Sequence, residues 1–222
     1  MQETNNRQDH MADEFQRMVN EFFTVQCRYQ AAIREVQTKL EILDDEFQMK
    51  HKRNPIHHMQ SRMKSIQSMM EKLGRRNENK TIASAVEHLT DIAGIRVICS
   101  YLQDVYAVAE LLARQDDIHV LRVRDYIRNP KPNGYRSLHL VIEIPVFLSD
   151  GRVLVPVEVH LRTIAMDFWA TLEHSLRYKA EGEIPEDISR ELMQTAQDIA
   201  GLDQRMQAIH DQVDALFSSQ EK

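Results

Sequence analysis

SLHLVIEIPVFLSDGRVLVPVEVHLR, residues 137–162, decides the fold. Two runs within it, 137–145 and 152–162, alternate apolar and polar side chains, and Ser149-Asp150-Gly151 lies between them. Alternation with period 2 marks a strand, so the stretch predicts a β-hairpin. Its connection reads as longer than the two-residue ideal, which leaves the register open. In the second run Val153, Val155, Val157, Val159 and Leu161 share one face, with Leu154, Pro156, Glu158, His160 and Arg162 on the other. In the first run Leu138, Leu140, Ile142 and Ile144 oppose Ser137, His139 and Glu143. The apolar side must be covered, and the mixed side carries His139 and Glu158.

Working outward, GIRVICS (94–100) reads as a buried strand and IHVLRVRDY (118–126) as another, with Arg122 and Arg124 on one face. Between them, Leu102 to Gln115 reads as a helix with Val105, Val108, Leu111 and Leu112 inward. Residues 9–50 read as one long helix, with Phe15, Met18, Phe22, Val25, Tyr29, Ile33, Val36, Leu40, Leu43 and Phe47 three or four apart. Asn54-Pro55 stops it. A second helix is expected from about Ile56 to Leu73, with Met59, Met63, Ile66, Met70 and Leu73 inward and Gly74 as its cap. Lys64, Lys72 and Arg75 then fall close to one stripe. Residues 163–180 read as a helix carrying Phe168, Trp169, Leu172 and Leu176. After the Pro185 break a last helix runs to about 217, with Ile188, Leu192, Ile199, Leu202, Met206, Ile209, Val213 and Leu216 inward. The first and last helices are expected to pack antiparallel within one monomer; a helical oligomer interface is the alternative.

The expected fold is therefore α/β (α+β): a central mixed sheet of about five strands flanked by helices, with long N- and C-terminal helices. The 222 residues suit one domain, its core at about 56–180 and flanking helices at about 9–50 and 186–217. No apolar run approaches the roughly 18 residues that span a bilayer, the N-terminus has no signal-peptide core, and Cys27 and Cys99 make no disulfide framework. A cytoplasmic protein without a membrane association is the expectation.

The net charge of −6 argues against general nucleic-acid binding. Its distribution is uneven. Residues 62–80 hold six basic groups against two acidic ones, and residues 122–136 hold five against Asp125. Two basic segments in an acidic chain suit compact anions as well as they suit solvated faces. Asp91, in DIAGIR, is either a turn-capping residue or a Mg²⁺ ligand. Glu158 is exposed on a sheet face, or paired with Arg162, or a metal ligand or base on a rigid strand. Tyr135 follows the turn signal Asn133-Gly134; it is a surface ring or a stacking platform between Lys131 and Arg136. His139 is a satisfied sheet histidine or a ligand contact. No P-loop, GxGxxG, GxSxG or CxxC is present, and His57-His58 is only a weak metal suggestion.

With SRMKS (61–65), TDIAGIRVICSY (90–101), RDYIRNPKPNGYRSLHL (124–140) and VEVHLRTIAMDFWATLEHSLRYK (157–179), the chain resembles the small alarmone synthetases, the single-domain members of the RelA/SpoT family. The resemblance covers about residues 15–217. It implies transfer of pyrophosphate from ATP to the 3′-hydroxyl of GDP or GTP, giving ppGpp or pppGpp and AMP in the bacterial stringent response. It also implies that Arg62 and Arg96 sandwich adenine, while Lys64, Lys72 and Arg75 hold the ATP phosphates. Asp91 and Glu158 bind Mg²⁺, with Glu158 also the base for the 3′-hydroxyl. Tyr135 stacks on guanine, and Lys131, Arg124, His139, Arg136 and Asp167 line the acceptor site. The only His-Asp pair, His210-Asp211, lacks partners, so hydrolysis is not expected.

PKPNGYRSLHL and IRTIAMDFWA look more like the RelP-like branch than the RelQ-like one. Where the latter builds an allosteric alarmone site, this chain has Gln37, Glu41 and His58, and Asp167 stands where that branch has Asn. The implied assembly is a homotetramer without strong product activation, needing neither ribosome nor nucleic acid. The rival activities are nucleotidyl transfer, pyrophosphate transfer to another acceptor such as GMP, an adenine nucleotide or a tRNA end, and a non-enzymatic helical module.

Overall fold

A computed structural model describes residues 2–179 and 184–218, with the side chains of 2–15, 17, 18, 178, 217 and 218 left aside. The chain runs α1 (Gln2–His51), β1 (Ile56–Met63), α2 (Ile66–Arg75), α3 (Ile82–His88), β2 (Ala93–Cys99), α4 (Leu102–Ala113), β3 (His119–Asp125), β4 (Leu138–Leu148), β5 (Gly151–Thr163), α5 (Ile164–Lys179) and α6 (Glu186–Ser218). The strands form one sheet in the order β1-β2-β5-β4-β3. Only the β2–β5 pair is parallel, so the sheet is mixed. None of the described helices is long and apolar enough to cross a membrane.

The alternation in 137–162 does form the central hairpin, and the register is fixed more tightly than the sequence suggested. Leu148 pairs with Gly151, leaving only Ser149 and Asp150 in the turn. Gly151 takes φ +124°, which a side chain would resist. The valine face of β5 is buried with Leu138, Leu140, Ile142 and Ile144 in one continuous core. α1 lies across β1, β2, β4 and β5, and presses Tyr29, Ile33, Val36, Leu40 and Leu43 into that core. Burying each such side chain is worth about 1.5–3 kcal/mol, so a stripe of five dominates the docking of α1. At its far end Arg53 donates two hydrogen bonds to Asp104, which is almost wholly buried at the start of α4.

Three expectations need correction. Residues 56–63 form an edge strand rather than the first half of a helix. Met59 and Met63 face the core in either geometry, so their spacing could not separate the two; pairing with β2 decides it. The helix begins after Ser65, whose Oγ accepts from Ser68 N at 3.2 Å. Lys64 therefore precedes the helix that bears Lys72 and Arg75.

Second, the stretch read as merely polar holds α3, capped by Thr81 Oγ1 accepting from Ser84 N at 3.1 Å. Third, the two long helices find separate beds. α1 packs on the sheet, and α6 on α5 and α4. Trp169 is buried and donates from Nε1 to Leu192 O at 3.0 Å. Ile188, Leu202, Met206, Ile209 and Val213, expected inward, are exposed, as are Phe168, Leu172 and Leu176 of α5. Phe15 and Met18 lie outside the described side chains.

Candidate active site

The strand register assembles the polar face in two rows. One runs Gln60–Arg96–His160–His139–Arg124 across all five strands. The other runs Arg62–Gly94–Glu158–Val141–Arg122. Opposed residues of a sheet project to the same side, so residues far apart in sequence become neighbours by pairing alone. Glu158 stands at the middle of this face. Gly94 beside it leaves the gap between Arg62 and Glu158 open. Arg122 reaches over to donate to Thr90 Oγ1 at 3.1 Å, next to Asp91.

Asp91 sits in the turn entering β2. Its Oδ2 accepts from Lys64 Nζ at 2.9 Å and from Lys72 Nζ at 2.7 Å. Its Oδ1 is buried and has no hydrogen-bond partner among the described residues. Burial pushes the carboxyl pKa up, but the two ammonium groups outweigh it and hold the group below its ordinary range. The two lysines thus converge by tertiary folding rather than along one helix stripe. Arg75 is exposed at the end of α2, and Arg62 is exposed on the edge strand.

Glu158 has two imidazole neighbours. His160 Nε2 lies 3.3 Å from Oε2, and His139 Nδ1 lies 3.8 Å from Oε1. Its carboxyl too ends below the ordinary range: burial raises it, and His160 with Lys72 lowers it more. The charge of Asp91 is felt at Glu158 and opposes that lowering, which places the two carboxylates within electrostatic reach. A pair of ionised carboxylates, one with an unpartnered buried oxygen, fits Mg²⁺, which takes one or two carboxylates and completes its shell with phosphate and water.

The loop 126–137 is built around a turn. Gly134 N donates to Lys131 O at 2.8 Å, and Gly134 takes φ +88°. A Cβ there would stand 2.6 Å from the Ala196 Cβ of α6, so glycine is required twice over. Asn133 Nδ2 donates to Glu173 Oε1 of α5 at 3.1 Å.

Tyr135 lies half-buried, with Lys131 Nζ 4.7 Å and Arg162 Cζ 5.1 Å from its ring centre. Its hydroxyl accepts from Arg162 Nη2 at 2.8 Å and meets His139 Nε2 at 2.9 Å. Burial first, then the charge of His160, Lys131, Arg162 and Arg124, drives the His139 pKa down to about 2. His139 is thus a neutral imidazole. Asp167 lies 3.2 Å from Arg162 and 3.6 Å from Arg96.

Two residues have partners that the sequence did not show. Arg162 pairs with Asp167 and Tyr135 rather than with Glu158. Arg136 donates from Nη1 to Ile127 O at 2.9 Å, and its charge is felt by Asp203 of α6, so it ties down the base of the loop. His160, Arg162 and Arg122 were not counted among the site residues. The alternation had put His160 and Arg162 beside Glu158 on the mixed face, and that was the available signal.

A family model, described as the region found in RelA / SpoT proteins, matches residues 61–183. The chain belongs to the RelA/SpoT family. It is 44% identical over 186 residues to the GTP pyrophosphokinase YwaC of Bacillus subtilis, covering 84% of this chain and 89% of that protein. Against YjbM, a second GTP pyrophosphokinase of the same organism, identity is 36% over 197 residues, with 87% and 92% covered.

Among solved RelA/SpoT structures, the small alarmone synthetase 2 of B. subtilis superposes with a TM-score of 0.76 at 41% identity, covering 84% of this chain and 97% of that one. The small alarmone synthetase 1 bound to its product pppGpp gives 0.79 at 35%, with 86% and 97% covered.

Proposed function

We infer that the protein is a GTP pyrophosphokinase that transfers the β,γ-pyrophosphate of ATP to the 3′-hydroxyl of GDP or GTP, giving (p)ppGpp and AMP. The observation that carries the reading is the polar face centred on Glu158. It sets two carboxylates between a basic cluster from β1–α2 and another from β3–β4, in a chain closely similar to proteins of that activity.

The reaction forms a bond between the acceptor 3′-oxygen and the ATP β-phosphorus and breaks the bond from that phosphorus to the α,β-bridging oxygen. AMP leaves with the electron pair. Such transfers need alignment and charge neutralisation more than covalent help. Lys64 and Lys72, gathered at Asp91, suit the ATP phosphates, and Arg62 and Arg96 suit adenine on its edge of the sheet. Mg²⁺ held by Asp91 and Glu158 would neutralise charge on the polyphosphate. Glu158 accepts the hydroxyl proton; held below the ordinary carboxylate range it is ionised and ready, though a weak base. A positioned base is worth about 10²–10⁴-fold. Tyr135 offers a ring to guanine, with Lys131, Arg124, His139 and Asp167 around it.

The motif PKPNGYRSLHL and the absence of lysines at 37 and 41 support a RelP-like enzyme, for which added pppGpp gives no several-fold stimulation. The exposed apolar side chains of α5 and α6 support a homotetramer. A cytoplasmic enzyme acting without ribosome or nucleic acid follows the same reading.

The test is product analysis with Mg²⁺, ATP and each guanine nucleotide in turn. AMP and the 3′-pyrophosphorylated nucleotide should appear in equal amounts, and neither without an acceptor. Release of free pyrophosphate would point to nucleotidyl transfer instead.

A further inference from the structure

Among the described residues, His139, Glu158 and His160 form a cluster whose ligand atoms all lie within 4.8 Å of one another. The two imidazoles face each other across the β4–β5 ladder, stacked with centroids 3.7 Å apart and planes at 18°. His160 Nε2 is buried and has no hydrogen-bond partner, although Glu158 Oε2 is only 3.3 Å away. That nitrogen lies within ligand distance of the carboxylate but off the line of a good hydrogen bond. We propose that His139, Glu158 and His160 form a binding site for a borderline-soft divalent transition cation, of which Zn²⁺ is the type.

The donor set argues for that class. Imidazole nitrogens suit Zn²⁺, Co²⁺ and Cu²⁺, whereas Mg²⁺ takes oxygen. With Zn–N and Zn–O distances near 2.0–2.1 Å, a tetrahedral site holds its ligand atoms about 3.3 Å apart. The His160–Glu158 separation already has this value, and the His139–Glu158 separation of 3.8 Å is close to it. Stacked rings aim their lone pairs side by side, so the rings must splay to converge on one ion.

His139 has the outer support that metal-bound histidines use. Its Nε2 lies 2.9 Å from the Tyr135 hydroxyl. With the Nε2 proton donated there, Nδ1 presents its lone pair to Glu158. The guanidiniums of Arg96 and Arg162 lie nearby, but both are held by Asp167. A fourth position is left for water.

Held by such a cation together with both imidazoles, Glu158 is drawn away from the Mg²⁺ it would share with Asp91 and from the acceptor hydroxyl. The site is therefore inhibitory, an inference that rests on the function proposed above. The cation draws Glu158 and His139 away from the acceptor, and Mg²⁺, which leaves the imidazoles unused, displaces it poorly.

The test uses Co²⁺ and Zn²⁺ on the chelator-treated full chain without nucleotides. Wild type should take up one equivalent of Co²⁺ with the intense visible absorption of four-coordinate cobalt, and Zn²⁺ should bleach it. His160→Gln should weaken Co²⁺ binding by at least about tenfold. The double variant His57→Gln/His58→Gln, which removes the other histidine pair, should bind as wild type does. Weak octahedral absorption, or binding unchanged by His160→Gln, overturns the site; so does loss of binding in the double variant. In a synthesis assay, the ratio of rates with and without Zn²⁺ should be small for wild type and near one for His160→Gln. The binding arm needs no substrate. Uptake of cobalt by a protein that makes no product would refute the proposed function and leave the site standing, while synthesis without uptake would do the reverse.

Discussion

Tyr135 carries the residue-scale argument for the acceptor. Its ring lies between the cations of Lys131 and Arg162, and its hydroxyl links Arg162 to His139. Stacking of a base on an aromatic ring is worth roughly 1–3 kcal/mol. Tyr135→Ala should therefore raise KM for GDP about 10–100-fold and leave KM for ATP within about threefold. Steady-state kinetics varying each substrate separately checks this; an equal rise in both constants would remove Tyr135 from acceptor recognition. The placement of Tyr135, Asp91 and Glu158 was legible in the sequence because each interrupts a pattern: a turn, the entry to a buried strand, a run of valines. His160 was not, because alternation alone explains a polar residue there. Its unshared nitrogen is visible only once β4 and β5 are in register. The partner of Arg136 was hidden for a related reason: its bond to Ile127 O forms only once the loop folds back.

At the scale of elements, the alternating strands β3, β4 and β5 and the α1 stripe were readable because burial imposes their period. Strand β1 was not. Its two methionines satisfy helix and strand alike, and only the free edge of β2 selects the strand. That choice matters, since it turns Lys64 toward Asp91. The docking of α1 has a pH signature. Burial raises the Tyr29 pKa to about 12, with Arg28 pulling the other way. In the unfolded chain this phenol ionises near 10. Between pH 10 and 12 the unfolded state has lost a proton that the native state keeps, so stability falls as pH rises. The slope is about 1.4 kcal/mol per unit, or about 3 kcal/mol across the window. Denaturant melts from pH 8 to 12 should show Tyr29→Phe matching wild type within about 1 kcal/mol at pH 8 and declining less steeply above pH 10. Parallel declines would show that the Tyr29 proton is not linked to folding.

The whole molecule has one apolar face covered by α1 and α4, one polar face for chemistry, and a helical pair, α5–α6, whose outer side stays apolar. Sequence periodicity showed that stripe clearly but assigned it to the wrong cover, because a period says that a face must be buried and not against what. Covered by other copies of the chain, it accounts for the proposed tetramer. Leu202→Glu/Ile209→Glu should lower the mass seen by light scattering from four chains to a smaller species. An unchanged tetramer would place the interface elsewhere. The same pair also braces the loop 126–137, through Ala196 against Gly134 and Glu173 on Asn133. All of this geometry centres on Glu158, the proposed base on the polar face. The most direct measurement is transfer from γ-labelled ATP to GDP, with Mg²⁺, by wild type and by Glu158→Gln in single turnover, with melting curves of both proteins. Label should reach the guanosine product in wild type and fall by at least about 10²-fold in a variant that melts as wild type does. A folded Glu158→Gln enzyme that still transfers label at the wild-type rate would contradict the account.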